Sequence, residues 1–399
     1  MRLAPGNLRY RSRGPAVQAS RVGETEPIGL ALMNARIPRL LLLTAAIAAP
    51  ASGGTLPQGY GWHALPNTKL RPLCPSLAQY PALQGGSGCA GIVRAWGGGA
   101  FDPAGNRLFI TGGGHADWAG NEVYELDLDT VTMRRLNAPS YPVRDGCEAA
   151  NDSKYADGRP VSRHTYNHLE WLPGTNELLM YGGSRWECGF FGDDTWVFDP
   201  AQDRWTELPS ANAPMGEYGL SLVRDPVSGL VYARDTYHLW SWSPMTRTWT
   251  QRSNDSDLAT ENARSGVVDP VRRRYFFYTA GSRTLHGYDI SAATGMLTIE
   301  SRPAPTCTFM DEDAAGWAYD AGLDRIVAWN DGNFVHLLDG ATATCRTETI
   351  PGGPGAVDNG TYGRFRYSPA ASAHVVCSEI DDDCYLLRLE APLLIDGFE

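Results

Sequence analysis

The chain of 399 residues is long enough for one large domain or two ordinary ones, and its apolar fraction of 43% is normal for a globular protein. Its 34 basic and 45 acidic residues give a net charge of −11 at pH 7. So acidic a surface argues against nucleic acids and anionic membranes as general partners, although a local basic pocket is compatible with it.

The amino-terminal end contains an apolar run, residues 40–49, with the sequence LLLLTAAIAA. Ten residues are too few to cross a bilayer, but two arginines precede the run and small residues follow it. This pattern predicts a secretory signal peptide over residues 33–51, with the true start at Met33. Residues 1–32 are then a mis-assigned extension. The alternative is that the whole region is a long transit-type leader.

Removing residues 1–51 makes the remaining chain more acidic, because they hold seven of the 34 basic residues and two of the 45 acidic ones. The mature chain then has a net charge of about −16. It contains no run of 18 apolar residues, so we expect no transmembrane segment in it. We predict a secreted or periplasmic protein that is a monomer and needs no cofactor.

Six modules follow, and each begins with a short strand, a turn and a second strand. The first reads GGGAFDPAGNRLFI and the second HLEWLPGTNELLMY. Proline at the second turn position presets φ, and a nearby Gly or Asn tolerates a positive φ, so each segment reads as a β-hairpin. The six turn positions are Pro103, Pro173, Pro226, Pro270, Ala321 and Pro369.

A third and a fourth strand complete most modules, as TWVFDP and RWTELP do in the second. Four antiparallel strands cannot bury both faces of their sheet alone, whereas sheets packed radially cover each other. We therefore predict an all-β protein, a β-propeller over residues 52–392 with six blades of four antiparallel strands; seven blades are the alternative. The sixth module lacks a fourth strand, and we expect residues 59–70 to supply it and close the ring. A short tail follows at 393–399.

The second module resembles a kelch repeat. Arg163-His164 opens its inner strand, Gly182-Gly183 ends its second strand, and six residues separate Phe198 from Trp205. The third module keeps two tryptophans at that spacing but lacks the glycines, and modules four to six depart further. The chain therefore resembles the kelch-type, galactose-oxidase-like propellers, a resemblance that implies a fold and leaves the function open.

The stretch ITGGGHADWAG, residues 110–120, has the glycines of a phosphate-binding loop. Such a loop needs a helix after its glycines, whereas NEVYELDL continues with the period of a strand. We therefore interpret Gly112–Gly114 as the end of a strand, at a point where neighbouring sheets crowd. His115 follows in a loop where packing rarely demands histidine.

A meander places the loops between second and third strands at the same end of the ring as the links between blades. That end collects most of the polar candidates. The candidate catalytic residues are His115, His164, Tyr166 and Arg185. The candidate ligand-binding residues are Arg94, Asp117, Trp118, Arg163, Trp186, Arg264 and Arg364. The remaining blades contribute Glu217, Tyr218 and Asp311–Asp313.

Many of these residues also have a structural interpretation. Arginines at the start of kelch inner strands often tie blades together through carboxylates and carbonyls, a role open to Arg94, Arg163, Arg264 and Arg364. His164 is a candidate for a similar hydrogen bond between blades. Trp118 and Trp186 either pack in the interior or offer surfaces on which sugar rings stack.

Three functions are considered. A copper radical oxidase needs two Tyr, two His and a Cys bonded to one Tyr, a set that we cannot assign here, and we expect no metal site. A polysaccharide lyase acting on uronates moves a proton with His or Tyr while Arg neutralises the carboxylate. The third function, a recognition module for a glycan or a protein, is the one we predict, because kelch-type propellers are mostly binding scaffolds.

All eight cysteines lie after residue 51, and an even number in an exported chain predicts disulfides. No Cys/His spacing indicates zinc. We predict three pairs: Cys74 with Cys89, close in sequence; Cys147 with Cys188, at one end of blade two; and Cys377 with Cys384, across a hairpin. Cys307 and Cys345 remain. The strand directions place them at opposite ends of the ring, so either their pairing or the strand order in blade five has to be wrong.

Overall fold

The computed structural model describes residues 54–141, 153–187, 191–217, 219–255, 265–355 and 358–389. The chain divides into two units, Met1–Pro50 and Ala51–Glu399, and every described residue belongs to the second. The predicted signal peptide and tail, together with Cys147, Cys188, Tyr218 and Arg264, lie outside the described residues. Within the described part, no helix is both long and apolar enough to cross a membrane.

Antiparallel strands form nearly all of the regular structure. In chain order the first strands are β1 (Gly61–Ala64), β2 (Gly98–Asp102), β3 (Arg107–Thr111), β4 (Tyr124–Asp127), β5 (Thr132–Arg135), β6 (Arg163–His164), β7 (Leu169–Leu172), β8 (Glu177–Arg185), β9 (Phe191–Asp199), β10 (Arg204–Leu208), β11 (Ser221–Arg224), β12 (Val231–Arg234), β13 (Leu239–Ser243) and β14 (Thr248–Gln251).

The second half of the chain continues in the same way. Its strands are β15 (Gly266–Asp269), β16 (Arg274–Tyr278), β17 (Thr284–Asp289), β18 (Ile299–Pro303), β19 (Gly316–Asp320), β20 (Arg325–Trp329), β21 (Phe334–Asp339), β22 (Thr344–Thr349), β23 (Phe365–Ser368), β24 (Ala373–Val376) and β25 (Tyr385–Arg388). The short helices are α1 (Gly91–Arg94) and four 3-10 helices at Arg71–Leu73, Gly88–Ala90, Thr308–Asp311 and Tyr362–Arg364.

The strands form six sheets, one for each predicted module: β2–β5, β6–β10, β11–β14, β15–β18, β19–β22, and β23–β25 with β1. Their inner strands contact one another in the circular order β2, β7, β11, β15, β19 and β23, and β23 contacts β2 again. The six-bladed propeller is therefore confirmed, and the seven-bladed alternative is wrong.

The amino-terminal strand closes the ring as predicted. Strand β1 is the outermost strand of blade six and pairs antiparallel with β25, with Trp62 opposite Leu387. The buried ring of Trp62 lies 5.3 Å from the ring of Trp329 in blade five. This clasp, residues 59–66, therefore contacts both the last strand and the neighbouring blade.

An aspartate builds the turn after the inner strand in four of the six blades. The side chains of Asp102, Asp225, Asp269 and Asp320 each accept the backbone N–H two positions later, at 2.9 to 3.1 Å. This bond gives the chain a local turn without any contribution from the rest of the sheet. The Asp-Pro signature of the modules is thus the turn of the inner hairpin.

The hydrophobic core lies between the blades rather than within them. Six clusters of buried apolar side chains each combine residues of neighbouring blades, as Tyr181 of blade two and Trp242 of blade three do. A single sheet has no second layer of its own, so each blade uses its neighbour as that layer. Closure of the ring therefore completes the core.

Three disulfides join described residues: Cys74–Cys89, Cys377–Cys384 and Cys307–Cys345. The first two were predicted. The third, Cys307–Cys345, is present. The strand order in blade five is nevertheless the predicted one, because β19 to β22 follow each other in sequence. The expectation that either the pairing or the strand order had to be wrong is therefore itself wrong.

Sheet twist explains how Cys307 and Cys345 meet. Each strand turns by about 20–25° from its neighbour, so the outermost strand of a blade lies about 60–75° from the innermost one. Its ends then point sideways towards the next blade. Arg302, near the end of β18, accordingly donates to the carbonyls of Gly340 and Ala341 in the outer turn of blade five. Disulfides of this kind are consistent with an oxidising compartment.

Candidate binding site at the mouth of the ring

We call the end of the ring at which the inner strands begin the mouth. In four blades a residue two or three positions before the inner strand has a left-handed backbone: Trp96 (φ 48°), Tyr166 (φ 40°), Ala314 (φ 53°) and Tyr362 (φ 47°). Bulky residues rarely adopt this conformation, and it persists only where the surrounding structure enforces it. The repetition shows that it belongs to the architecture of the mouth.

Hydrogen bonds between blades hold these left-handed residues. The backbone N–H of Tyr166 donates to the carbonyl of Trp96 at 2.7 Å, and that of Tyr362 donates to the carbonyl of Ala314 at 3.1 Å. Each bond joins one blade to the next at the centre of the mouth. Three aromatic residues, Trp96, Tyr166 and Tyr362, are thereby packed into one cluster with Ala314, and we call these three the aromatic collar.

A cluster of polar residues from blades one and two lies against this collar. His164 Nε2 is 2.9 Å from Asp117 Oδ2, and His164 Nδ1 is 3.3 Å from the Tyr166 hydroxyl. The His164 ring lies 4.8 Å from the ring of Trp96 and 5.8 Å from that of His115. The structure therefore brings together His115, Asp117, His164 and Tyr166, four of the residues singled out from the sequence.

Burial fixes the protonation of His164. It lowers the pKa of this histidine to about 4, although the Asp117 carboxylate opposes the change. The imidazole is therefore neutral at pH 7. Since a carboxylate only accepts, Nε2 carries the hydrogen and donates it to Asp117, which leaves Nδ1 to accept from the Tyr166 hydroxyl.

Ser87 fixes Asp117 from the other side. Its hydroxyl donates to Asp117 Oδ1 at 2.8 Å, and its backbone N–H donates to the Asp117 carbonyl. Ser87 belongs to the segment closed by the Cys74–Cys89 disulfide, which packs on the loop after β3. The sequence analysis missed this residue because the contact spans 30 positions and follows no motif.

The neutral state of His164 predicts an acid-sensitive fold. An unfolded histidine takes up a proton near pH 6.5, whereas the folded one does so only near pH 4, so stability is lost as the pH falls through this interval. We expect His164 to account for a loss of about 2 kcal/mol between pH 7.5 and pH 5, measured by urea denaturation. His164→Asn should remove that part of the loss. An unchanged pH profile in His164→Asn would contradict this assignment.

Arg163 and Arg185 do not join the polar cluster. They lie opposite each other in the β6–β8 pair, on the face away from His164, and both donate to buried Asp194 at 2.8 to 2.9 Å. Burial raises the pKa of Asp194, but the two guanidiniums outweigh it and hold this pKa at about 2. These arginines therefore link strands within blade two. The structure does not bring Arg185 together with His115 and His164, with which it was grouped as a candidate catalytic residue.

The other predicted arginines differ in exposure. Arg364 is fully buried and donates only to carbonyls, those of Gly97, Gly360 and Cys377, and burial lowers its pKa to about 10. It links blade six to blade one. Arg94 is half-exposed at the mouth, where it pairs with Glu379 at 2.5 Å.

Trp118 and Trp186 are both buried, at 2% exposure, and belong to one apolar cluster that joins blades six, one and two. Trp118 Nε1 donates to Glu122 at 3.2 Å. Neither ring presents a face to solvent, so of the two alternatives the structure favours packing in the interior over stacking on sugars. Their loops reach the mouth, but packing turns these two side chains inward.

A groove of about 1010 Å³ opens at the mouth beside the aromatic collar and extends over blades four to six. Its lining combines aromatic rings, carboxylates and amides. We define this mouth groove by Trp96, Asp313, Asn330, Asp331, Phe334, Asn359 and Tyr362. Asp311 and Glu312 also line it, so the acidic run that the sequence analysis placed at this end forms one wall.

The collar connects the groove to the polar cluster. Trp96 and Tyr362 line the groove, and the Tyr166 ring contacts Tyr362 at 5.7 Å. The polar cluster therefore lies directly behind one wall. Sequence analysis missed Trp96, Asn330, Asp331, Phe334 and Asn359, although the aromatic–glycine pairs in RAWGGG and TYGRF are a visible signal for the collar.

Comparisons with known proteins give only distant structural similarities. No protein-family model matches the chain, and no curated protein matches it either. A crystal structure of an auxiliary nutrient binding protein from Bacteroides thetaiotaomicron VPI-5482 is similar, with a TM-score of 0.44, 10% identity, and coverage of 74% of this chain and 68% of that one. A nidogen/laminin complex gives a TM-score of 0.41, 12% identity, and coverage of 67% and 86%. No shared function follows from similarities this low, and the kelch-type resemblance stays a prediction.

Proposed function

We propose that this protein is a secreted recognition module that binds a glycan in the mouth groove. The observation that carries the proposal is Phe334, whose side chain is 56% exposed although it lines a concave site. An exposed aromatic ring inside a groove is an unfavourable surface that a ligand can cover. The apolar face of a sugar ring fits this surface.

The polar lining suits the other faces of a sugar. Carboxylates such as Asp313 and Asp331 accept hydrogen bonds from hydroxyl groups, and amides such as Asn330 and Asn359 both donate and accept. Aromatic contact combined with a few fixed polar groups is the usual chemistry of small-molecule recognition sites. The size of the groove, about 1010 Å³, accommodates several sugar units.

The lyase alternative is less well supported. Elimination from a uronate requires an arginine that neutralises the substrate carboxylate, and both Arg163 and Arg185 are already bonded to Asp194. The carboxylates of the mouth groove would also repel a polyuronate. His164 and Tyr166 are adjacent, but they fit a structural link between blades equally well.

Phe334→Ala tests the proposal directly. The protein is applied to an array of neutral, acidic and amino-sugar oligosaccharides, and the best ligand is then titrated by calorimetry. We expect about tenfold or greater loss of affinity in Phe334→Ala, because a central aromatic contact is removed. Met245→Ala changes a 93% exposed apolar side chain outside the groove and should bind like the wild type. Absence of any glycan ligand, or equal affinity in Phe334→Ala, would refute the proposal.

A further inference from the structure

We infer that the glycan bound in the mouth groove carries free amino groups, and this inference rests on the proposed function. The groove is a concave acidic surface with an exposed aromatic ring, and a cationic sugar chain complements both features. The inference concerns the class of ligand and depends on the negative charge of the groove, which binding of a neutral glycan does not require.

The first support is unbalanced charge. Four acidic residues line the groove, and one of them, Asp311, is bonded to Arg283. Glu312, Asp313 and Asp331 have no cationic partner within 4 Å among the described residues. No lysine or arginine is found among the groove residues that the structure describes. Carboxylates gathered without a counter-charge repel one another, and a bound cation relieves this repulsion.

A histidine among the described lining residues does not supply the missing charge. His336 lines the groove, but it is 7% exposed and burial lowers its pKa, so the ring is neutral at pH 7. Its Nδ1 is 2.9 Å from the Thr347 hydroxyl. Burial also raises the pKa of Asp313, as expected for a carboxylate without a partner. The positive charge therefore has to come from the ligand.

The second support is a buried acceptor without a donor. Asn330 lines the groove, and its Oδ1 atom is buried with no hydrogen-bond partner among the described residues. A buried polar atom of this kind is destabilising until a donor reaches it. An ammonium group carries three donors and no acceptor, so its chemistry suits an amide oxygen as well as a carboxylate.

The third support distinguishes a sugar from a simple cation. The exposed Phe334 ring attracts a flat C–H face or a cation, and Thr308, Thr347 and Thr361 add hydroxyl groups to the lining. An amino sugar offers all three matching features: a flat face, hydroxyl groups and a charged amine. A basic peptide would use the acidic wall but not the hydroxyl-rich part of the groove.

Matched oligosaccharides test the inference. The probes are glucosamine hexamers with β-1,4 or β-1,6 linkages, each as the free amine and as the fully N-acetylated form. We expect titration at pH 6 and low salt to show that at least one free-amine hexamer binds with an affinity about tenfold or more above that of its acetylated partner. This preference should shrink at about 0.5 M NaCl, where the charges are screened.

Two variants locate the effect. Asp313→Asn removes one groove carboxylate and should weaken binding of the free amine more than binding of the acetylated form, so the preference for the free amine falls severalfold. Asp382→Asn removes an exposed carboxylate outside the groove and should leave the preference unchanged. Asparagine has nearly the same shape as aspartate, so we expect both variants to fold. Circular dichroism of each variant checks this.

The possible failures are separable. If no free-amine hexamer binds more tightly than its acetylated partner, the inference is overturned, whereas a Phe334-dependent glycan on the array would still support the proposed function. If hexalysine binds and no oligosaccharide does, both are overturned and the groove recognises basic peptides. A preference that survives in Asp313→Asn and at high salt would likewise overturn the inference, because it would not depend on groove charge.

Discussion

Deletion of the clasp, residues 59–66, should destabilise this protein more than any change at an exposed turn. The deletion removes β1, which is the fourth strand of blade six, and leaves the edge of β25 unpaired. It also removes Trp62 and Leu65, two buried side chains. Because the core lies between the blades, loss of this strand opens the contact of blade six with blade five.

The point variant Trp62→Ala measures part of this effect while retaining the strand. Truncation of a buried tryptophan typically costs about 3–5 kcal/mol. We expect a loss in this range from urea denaturation, because Trp62 packs on Trp329 and Tyr385 across the closure. The deletion should lower the free energy of unfolding further.

The matched control is Met245→Ala, which truncates a 93% exposed side chain in the outer turn of blade three. Its effect should stay within about 0.5 kcal/mol. If the clasp deletion unfolds at the same denaturant concentration as the wild type, then the ring does not depend on its amino-terminal strand.

The second large effect is expected for Asp194→Asn. This carboxylate accepts hydrogen bonds from Arg163, Arg185 and the Trp196 indole, and all four residues are buried. The amide keeps the shape but removes the charge, so two guanidiniums lose their shared buried counter-ion. Removing one partner of a buried ion pair costs about 3–5 kcal/mol, because the other charge stays buried without a counter-ion. Replacing the whole pair by apolar residues costs much less.

The pH dependence of Asp194 provides an independent check. Its pKa is about 2 in the folded protein against a usual value of 3.8, so its stabilising contribution is present above pH 4. It is lost as the pH falls from 4 towards 2, and amounts to about 2 kcal/mol. Acid unfolding of Asp194→Asn should lack this component.

The control for Asp194 is Asp203→Asn, because Asp203 is partly exposed and lies 3.7 Å from Arg159. Surface pairs of this kind contribute about 0–1 kcal/mol. Similar destabilisation in both variants would show that burial of the Asp194 group is not what makes it important.

The ring itself was predictable because its signals are local. In four blades an aspartate fixes the inner hairpin through a hydrogen bond two positions away. Six hairpins that recur along the chain then leave a radial arrangement as the way to bury the sheets. The missing fourth strand of the last module then identified the clasp. None of these steps needs knowledge of long-range packing.

The site was less predictable because it depends on the faces and twist of the sheets. Sequence placed His115 and Arg185 at the same end of the ring but did not reveal that Arg185 lies on the far face of blade two. Phe334 looks like an ordinary strand residue in FVHLLD, and only its position at the rim of blade five makes it exposed. The Cys307–Cys345 bond likewise follows from twist, which strand order does not contain.

The pairing of the first strand with the last also governs how this molecule can be made. Arg388 donates to the carbonyl of Pro57, a residue 331 positions earlier in the chain. Almost the whole polypeptide must therefore be synthesised before the last blade is complete and the ring can close. A product that stops short of β25 would be an open arc with two bare strand edges, the form of this protein most prone to aggregate.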